Sequence, residues 1–169
     1  MPEKMRDDEF DAVFAIMEQS FPLEEYRSYE GQKALLMDPA YAIYLVKEED
    51  NILGFGAVWQ LEKWLFLEHL AVDPRFRNRG IGAELLGFLA EKRCCLEVEL
   101  PETDLARRRI GFYQRNGFFL NDYPYVQPSL GEGRNPVPLS IMTSGSTISP
   151  EEFAQVQKLL YSRVYGQKE

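Results

Sequence analysis

The feature that most constrains this chain is residues 65–93, an apolar strand followed by a basic turn and an amphipathic helix. The turn contains Gly80 and Gly82, which allow an anion to approach the main chain closely. Backbone N–H groups at the start of a helix attract phosphate groups, and Arg77 and Arg79 add positive charge at the same place. The stretch therefore predicts a site for a ligand that carries a pyrophosphate.

The spacing of the glycines excludes two common nucleotide motifs. A dinucleotide fingerprint needs a third glycine at position 85, which is Leu85, and it needs its glycines directly after the strand. Here residues 73–79 intervene. A Walker-type loop is excluded as well, because no Gly-Lys-Ser/Thr follows.

The remaining sequence mixes helical and strand patterns, and it contains no repeat or low-complexity tract. Thr103 and Ser149 are predicted N-caps, and Gly117 is a predicted helix stop. The order predicts a mixed α/β fold with a largely antiparallel sheet flanked by helices, in a single domain over 1–169. The predicted helices cover 8–19, about 23–37, 81–93, 103–116 and the segment after 149; the predicted strands cover 41–47, 52–61, 64–72, 94–100, 118–126 and 137–143.

Composition narrows the functional classes. The net charge of −8 argues against a nucleic-acid partner, which favours a basic face. The negative net charge is compatible with a cationic substrate such as an amine. The simpler and favoured explanation is that the charge keeps the protein soluble. No apolar run approaches the ~20 residues that span a bilayer, and the N-terminus lacks the apolar core of a secretory signal. Cys94 and Cys95 are adjacent, which suits neither a disulfide framework nor a metal site, so we expect a cytoplasmic protein without a metal.

Two motifs together resemble the GNAT superfamily of N-acetyltransferases. One is the turn Arg77-x-x-Gly80-x-Gly82 between an apolar strand and a helix, preceded by Leu-Ala-Val-Asp-Pro at 70–74. The other is the segment 111–118, in which Tyr113 stands four residues before a Gly-Phe pair. The resemblance covers roughly residues 8–145 and leaves the final helix outside. It implies a GNAT-like acyl-CoA N-acyltransferase fold and acetyl-CoA as cosubstrate.

The resemblance also implies a set of cofactor-binding residues. Backbone amides of 77–83 would hold the pyrophosphate, and the edge of the strand 65–72 would pair with the pantetheine. The chain departs from the family pattern at Ala106 and Arg109, where the family often has an asparagine and a small residue, so contacts from this helix stay open. One of its arginines could reach the 3′-phosphate of CoA, or all could lie on an exposed face. The implied set is Leu70, Ala71, Val72, Arg77, Asn78, Arg79, Gly80, Ile81, Gly82 and Ala83.

The resemblance makes Tyr113 the candidate general acid. Attack of an amine on a thioester expels a thiolate, whose ordinary pKa is about 8.5, while that of a tyrosine is about 10. A phenol can therefore protonate the leaving group without being ionised at rest. The alternative is a tyrosine that only packs in the core or against CoA.

Glu68 is the candidate base. Strand alternation predicts that Glu68, Leu70 and Val72 share one face and that His69 lies on the other. In the family the base lies four or six residues before the position of Val72, and only Glu68 at those two positions is acidic. A carboxylate in an apolar strand is costly unless paired, so the alternatives are a structural salt bridge and a contact to the substrate ammonium.

The sequence does not identify the amine that accepts the acetyl group. It could be a small-molecule amine, an amino acid, an antibiotic, or a protein N-terminus or lysine. Glu97 and Glu99 could add to an acidic amine pocket or form a paired strand face, and His69 is predicted to be a packed, hydrogen-bonded residue. The loop 128–136 and the final helix could hold the acceptor information or a homodimer contact. The rival to an enzyme is a non-catalytic acyl-CoA-binding or regulatory domain with the same fold, and a pure interaction module is a more distant alternative.

Overall fold

Seven strands form one sheet in the order β1-β2-β3-β4-β5-β7-β6 in the computed structural model, which describes residues 1–167. The neighbouring strands are antiparallel except β4 and β5, which are parallel. The strands are β1 (Glu3–Lys4), β2 (Tyr41–Glu48), β3 (Asn51–Leu61), β4 (Trp64–Val72), β5 (Cys94–Glu99), β6 (Phe118–Gln127) and β7 (Val137–Ser144). The helices are α1 (Phe10–Ser20), α2 (Tyr29–Ala34), α3 (Ile81–Leu89), α4 (Asp104–Arg115) and α5 (Pro150–Leu159).

Helices cover both faces of the sheet. On one side, here called the α1 face, buried residues of α1 and α5 pack against β2, β3 and β4 in the largest apolar cluster. On the other side, the α3 face, α3 and α4 pack over β3, β4 and β5 in two smaller clusters. Both layers follow from the predicted mixture of amphipathic helices and apolar strands, and the mixed α/β fold is confirmed.

The parallel pair β4 and β5 separates along its length. Its ladder runs from Leu65 opposite Cys94 to Leu67 opposite Leu96 and stops there. Residues 68–72 of β4 and 97–99 of β5 therefore do not pair with each other. This separation leaves a gap in the sheet between the two helical layers.

Capping residues confirm three predicted helix ends. Thr103 Oγ1 accepts a hydrogen bond from the N–H of Ala106 at 3.0 Å, and Ser149 Oγ accepts one from Glu152 at 3.1 Å. Gly117 takes a left-handed φ of 89°, which ends the preceding helix as expected.

Two predicted helices are wrong in extent. Residues 23–37 do not form one helix: a 3₁₀ turn at Leu23–Glu25 is followed by extended backbone, and Ser28 then caps the short α2. The helix predicted to end at residue 93 ends at Leu89, because the carbonyl of Arg93 already accepts the N–H of Leu65 at 2.8 Å. No helix within residues 1–167 is long and apolar enough to cross a membrane.

Candidate active site

A cleft of about 800 Å³ lies where β4 and β5 separate. It is bounded by the ends of both strands, by the turn before α3, by one side of α4 and by the chain that follows α1. Its lining includes Phe21, Glu25, residues 67–72, residues 76–78 and 80–83, residues 97–99, Arg108, Arg109, Phe112, Tyr113 and Gln127.

The turn before α3 leaves its backbone open toward this cleft. Asp73 caps a 3₁₀ turn by accepting the N–H of Arg75 at 2.9 Å, and the chain then reaches Gly80, whose φ is 75°. Gly80 is the N-cap of α3 and provides no side-chain cap, so the first amides of the helix have no side-chain acceptor. A Cβ at Gly82 would lie 3.3 Å from Phe112 Cζ, so the glycine avoids a tight contact between α3 and α4. These features suit an anion, as the sequence predicts.

The two arginines of the turn differ. Arg79 forms an ion pair with Glu48 at 2.7 Å and stands over the ring of Phe76. Arg77 lines the cleft and has no ion-pair partner within residues 1–167. Arg77 is therefore the cation of the turn that is open to a ligand.

A β-bulge in β4 overturns the predicted alternation. His69 pairs with Ala57 and Leu67 pairs with Val58, which leaves Glu68 as the extra residue. As a result Glu68 and His69 both reach groups on the α1 face, and Leu70 packs on the α3 face. The predictions that Glu68 shares a face with Leu70 and that His69 lies opposite Glu68 are wrong.

Glu68 is buried and fully paired. Its Oε2 accepts from Arg27 Nη1 at 2.9 Å and its Oε1 accepts from Trp59 Nε1 at 2.8 Å. Burial by itself would raise the pKa of Glu68, but the charge of Arg27 and the hydrogen bonds from Trp59 and Arg27 outweigh it and hold the pKa below its ordinary value. Glu68 is therefore ionised at neutral pH, and its charge is balanced by a neighbouring guanidinium.

Glu97 is a second carboxylate at the cleft, partly buried and with different partners. Its Oε2 accepts from the Tyr125 hydroxyl at 2.5 Å, and its Oε1 accepts from the Tyr165 hydroxyl at 2.6 Å. Burial raises the pKa of Glu97 to about 7, and the nearby charges of Glu68 and Glu25 act in the same direction, while the two phenols lower it. Glu97 therefore changes its protonation state near neutral pH.

Glu25 and His69 complete the α1 side of the cleft. His69 is buried; its Nε2 donates to the Glu25 carbonyl at 2.7 Å and its ring packs on Phe21, which confirms the packed, hydrogen-bonded residue predicted from the sequence. Since a carbonyl only accepts, Nε2 carries the proton, and burial lowers the pKa of the ring further toward the neutral form. Burial, with the charge of Glu99 next, raises the pKa of the Glu25 carboxyl to about 7.

Tyr113 lies on the α3 side of the same cleft. Its ring packs against Phe112 and Phe118 at centroid distances of 5.2 and 5.8 Å. Within the described chain, no protein group bonds its hydroxyl. Burial raises the pKa of Tyr113, so the phenol stays protonated and available to a ligand.

Two of the four arginines of α4 form ion pairs within the protein. Arg107 contacts Asp104 and the carbonyl of Pro101, and Arg109 forms an ion pair with Glu99 at 3.1 Å. Arg108 lines the cleft and has no ion-pair partner among residues 1–167. It is the arginine of this helix that could hold a phosphate group.

Neither cysteine suits a covalent mechanism. Cys94 and Cys95 are both buried, and burial raises the pKa of the Cys94 thiol to about 12. The described residues 1–167 also contain no group of three or more His, Cys, Asp or Glu side chains that could hold a metal ion.

Arg27, Tyr125 and Tyr165 support the carboxylates of this site but were not predicted from the sequence. Each contacts its carboxylate from a distant part of the chain: Arg27 lies 41 residues before Glu68, and Tyr165 lies 68 residues after Glu97. No local pattern marks such partners, whereas the turn and Tyr113 belong to short motifs.

Comparisons with known proteins show the family to which the chain is related. A family model described as "Acetyltransferase (GNAT) domain" matches residues 39–119. YjbC of Bacillus subtilis, provisionally named an acetyltransferase, is 27% identical over 154 residues, which are 88% of this chain and 79% of that protein. A GNAT-family protein of Bacteroides thetaiotaomicron, also provisionally named an acetyltransferase, is 30% identical, with a TM-score of 0.89 over 99% of each chain.

A more distant structure shares the fold. YncA of Salmonella typhimurium, provisionally named an acetyltransferase and solved with its cofactor acetyl-CoA, is 14% identical with a TM-score of 0.63. The match covers 88% of this chain and 95% of YncA.

Proposed function

The chain belongs to the GNAT family of acetyltransferases, and on that premise we propose that it moves an acetyl group from acetyl-CoA directly to a primary amine. The observation that carries the proposal is the shared cleft, which joins the open turn at 77–83 to the unpaired hydroxyl of Tyr113. Aminolysis of the CoA thioester needs an anion-binding site for the cofactor and a protonated group for the leaving thiolate, and this cavity contains both.

The residues of the α3 face fit acetyl-CoA. We assign the pyrophosphate to the backbone amides of residues 77–83, namely Arg77, Asn78, Arg79, Gly80, Ile81, Gly82 and Ala83, and to the side chain of Arg77. Leu70, Ala71 and Val72 border the same cleft on the strand that has lost its pairing with β5, so their backbone groups can pair with the pantetheine. Arg108 is the candidate contact for the 3′-phosphate.

Tyr113 is proposed as the general acid. Its hydroxyl keeps its proton at rest because burial raises its pKa, and it faces the cleft without a protein partner. When the amine displaces the thiolate, Tyr113 gives its proton to the departing sulfur.

The α1 side offers two carboxylates as the base. Glu68 remains the candidate that the family pattern selects, but Arg27 and the hydrogen bonds to its carboxylate hold its pKa below the ordinary value, which makes it a weak base. Glu97 reaches the same cleft with a pKa of about 7, which suits a general base at neutral pH. We therefore add Glu97 as a second candidate.

Two isosteric variants decide between these carboxylates. If the replaced glutamate is the base, the plot of kcat/KM against pH for that variant no longer falls on the acidic side. If the replaced glutamate is purely structural, the acidic limb of the plot stays at its wild-type position. The pair Glu68→Gln and Glu97→Gln is thus its own matched control, and circular dichroism checks that both variants are folded.

The acceptor side favours a cationic amine. Glu25, Glu97 and Glu99 line it. A carboxylate-lined cleft attracts ammonium groups. Solved structures of this fold are named for acetylating an alanine of ribosomal protein S18 and for acetylating spermidine, and both acceptors are amines.

The test is an acetylation assay with wild-type protein and four amines: spermidine, kanamycin, an alanine-initiated peptide and L-lysine. We expect at least one N-acetylated product by mass spectrometry, formed in equal amount to free CoA thiol. Tight CoA binding without any acetylated amine would instead support the rival function, an acyl-CoA-binding or regulatory domain.

A further inference from the structure

We propose that Tyr165, in the turn after α5, is a positioning residue that acts through Glu97 on the amine side of this active site. The turn consists of the π-helical residues Leu160–Val164 and Tyr165. It lies outside the matched family segment, which ends at residue 119. The proposal rests on the proposed function, which it deepens.

The π turn changes the direction of the chain at the end of α5. The N–H of Tyr165 bonds the carbonyl of Leu160 at 3.1 Å, five residues back instead of the four of an α-helix. Because this hydrogen bond spans one more residue than in an α-helix, the residues after it are rotated about the helix axis relative to a continuous α-helix. Leu160 and Val164, both buried, fix the turn against the core of the α1 face.

Tyr165 forms hydrogen bonds with Glu97 on the side of the carboxylate that faces away from the cleft. Its hydroxyl lies 2.6 and 2.8 Å from the two carboxylate oxygens, while Glu97 itself lines the cleft and Tyr165 does not. Tyr125, on β6, donates to the same carboxylate. Two phenols from different elements therefore fix the carboxylate plane that faces the cleft, and each stabilises its charged form.

The same turn also reaches the second carboxylate. Arg27 Nη2 donates to the carbonyl of Val164 at 3.2 Å, while Arg27 Nη1 donates to Glu68. A carbonyl at the end of a helix lacks an intrahelical donor and carries partial negative charge, so it suits a guanidinium. The turn thus supports Glu97 directly and Glu68 through Arg27.

The first test is Tyr165→Phe with Tyr161→Phe as control. Tyr161 belongs to the same turn, but its hydroxyl donates to the Val126 carbonyl at 2.6 Å and does not touch a cleft carboxylate. Loss of a charge-assisted hydrogen bond predicts a fall of about tenfold in kcat/KM for the best amine of the four at pH 7. Tyr161→Phe is expected to keep wild-type kinetics, and both variants are expected to keep the CoA dissociation constant within about twofold.

The second test measures Glu97 without any substrate. Carbon-13 NMR of carboxyl-labelled glutamate, with the Glu97→Gln variant assigning the resonance, gives the pKa of Glu97 directly. The groups that face it are Glu68, Glu25, Cys95, Tyr125 and Tyr165. Removing one phenol predicts a rise of about one pKa unit, so the activity loss of Tyr165→Phe shrinks above pH 8, where Glu97 is ionised in both proteins.

The outcomes separate this inference from the proposed function. A wild-type protein that acetylates an amine, with Tyr165→Phe folded and unchanged in kcat/KM and in the pKa of Glu97, overturns the inference and leaves the function standing. Equal losses from Tyr165→Phe in the wild-type and Glu97→Gln backgrounds also overturn it, because the tyrosine would then not act through Glu97. A wild-type protein that acetylates none of the four amines counts against the function, and the NMR shift then decides the positioning alone.

Discussion

Arg27 makes the strongest single prediction about stability. In the structure its guanidinium neutralises buried Glu68 at 2.9 Å, and it also donates to Gln32 and to the carbonyl of Val164. The variant Arg27→Met keeps much of the apolar stem but removes all of these donors. Glu68 would then be a buried carboxylate without a counter-charge.

The magnitude follows from the environment of the pair. The side chains are only 10% and 3% exposed, so solvent cannot replace the lost partner. Removing one member of a buried ion pair costs about 3–5 kcal/mol. That is a large part of the ~5–15 kcal/mol by which a domain is stable.

The cost should depend on pH. In the wild-type protein the pKa of Glu68 lies below its ordinary value of 4.5, so its contribution to stability is complete above pH 4.5 and is lost as the pH falls through the folded pKa. Without Arg27, burial raises that pKa above 4.5, and the protonated carboxyl is tolerated at low pH. The destabilisation is therefore largest at pH 8 and smaller at pH 5.

The assay is urea unfolding followed by tryptophan fluorescence at both pH values. Arg75→Met is the control, because the Arg75 side chain is 70% exposed beside Asp73 and its pair should contribute less than about 1 kcal/mol. The double variant Arg27→Met with Glu68→Gln should recover much of the loss. A cost below about 1 kcal/mol, or an equal cost at pH 5 and pH 8, would refute the reasoning.

Two further predictions concern the cofactor side. Gly82→Val should weaken CoA binding, measured by calorimetry, by more than about tenfold. Even a Cβ at this position lies 3.3 Å from Phe112, and the larger valine side chain fills the approach to the turn. An unchanged affinity would show that the turn is not part of the binding site. Arg108→Ala should weaken the binding of CoA but not that of dephospho-CoA. Arg107→Ala should change neither affinity, because Asp104 holds the Arg107 guanidinium. If Arg108→Ala weakens the binding of both ligands equally, a contact between Arg108 and the 3′-phosphate is excluded.

Local patterns were sufficient for part of this site. The turn at 77–83 and Tyr113 belong to short segments with fixed spacing, and the structure brings both to one cleft. The caps at Thr103 and Ser149 are also local, because a side chain bonds an amide three residues on. Interactions of this range are encoded within one element, so the sequence reveals them.

Features that depend on distant partners were not predictable. The bulge at Glu68 exists only in the register of β4 against β3, and strict alternation therefore placed His69 on the wrong face. The role of Glu97 depends on Tyr125 and Tyr165, which the fold alone brings together.

The most direct test of the central claim is acetyl transfer by Tyr113→Phe compared with its affinity for CoA. Tyr123→Phe is the control, since its hydroxyl bonds the carbonyl of Ile148 outside the cleft. The account predicts that Tyr113→Phe loses about 10²-fold or more in kcat while the CoA dissociation constant stays within about twofold, and that Tyr123→Phe keeps wild-type turnover. An unchanged kcat in folded Tyr113→Phe would contradict the claim that this phenol protonates the leaving thiolate.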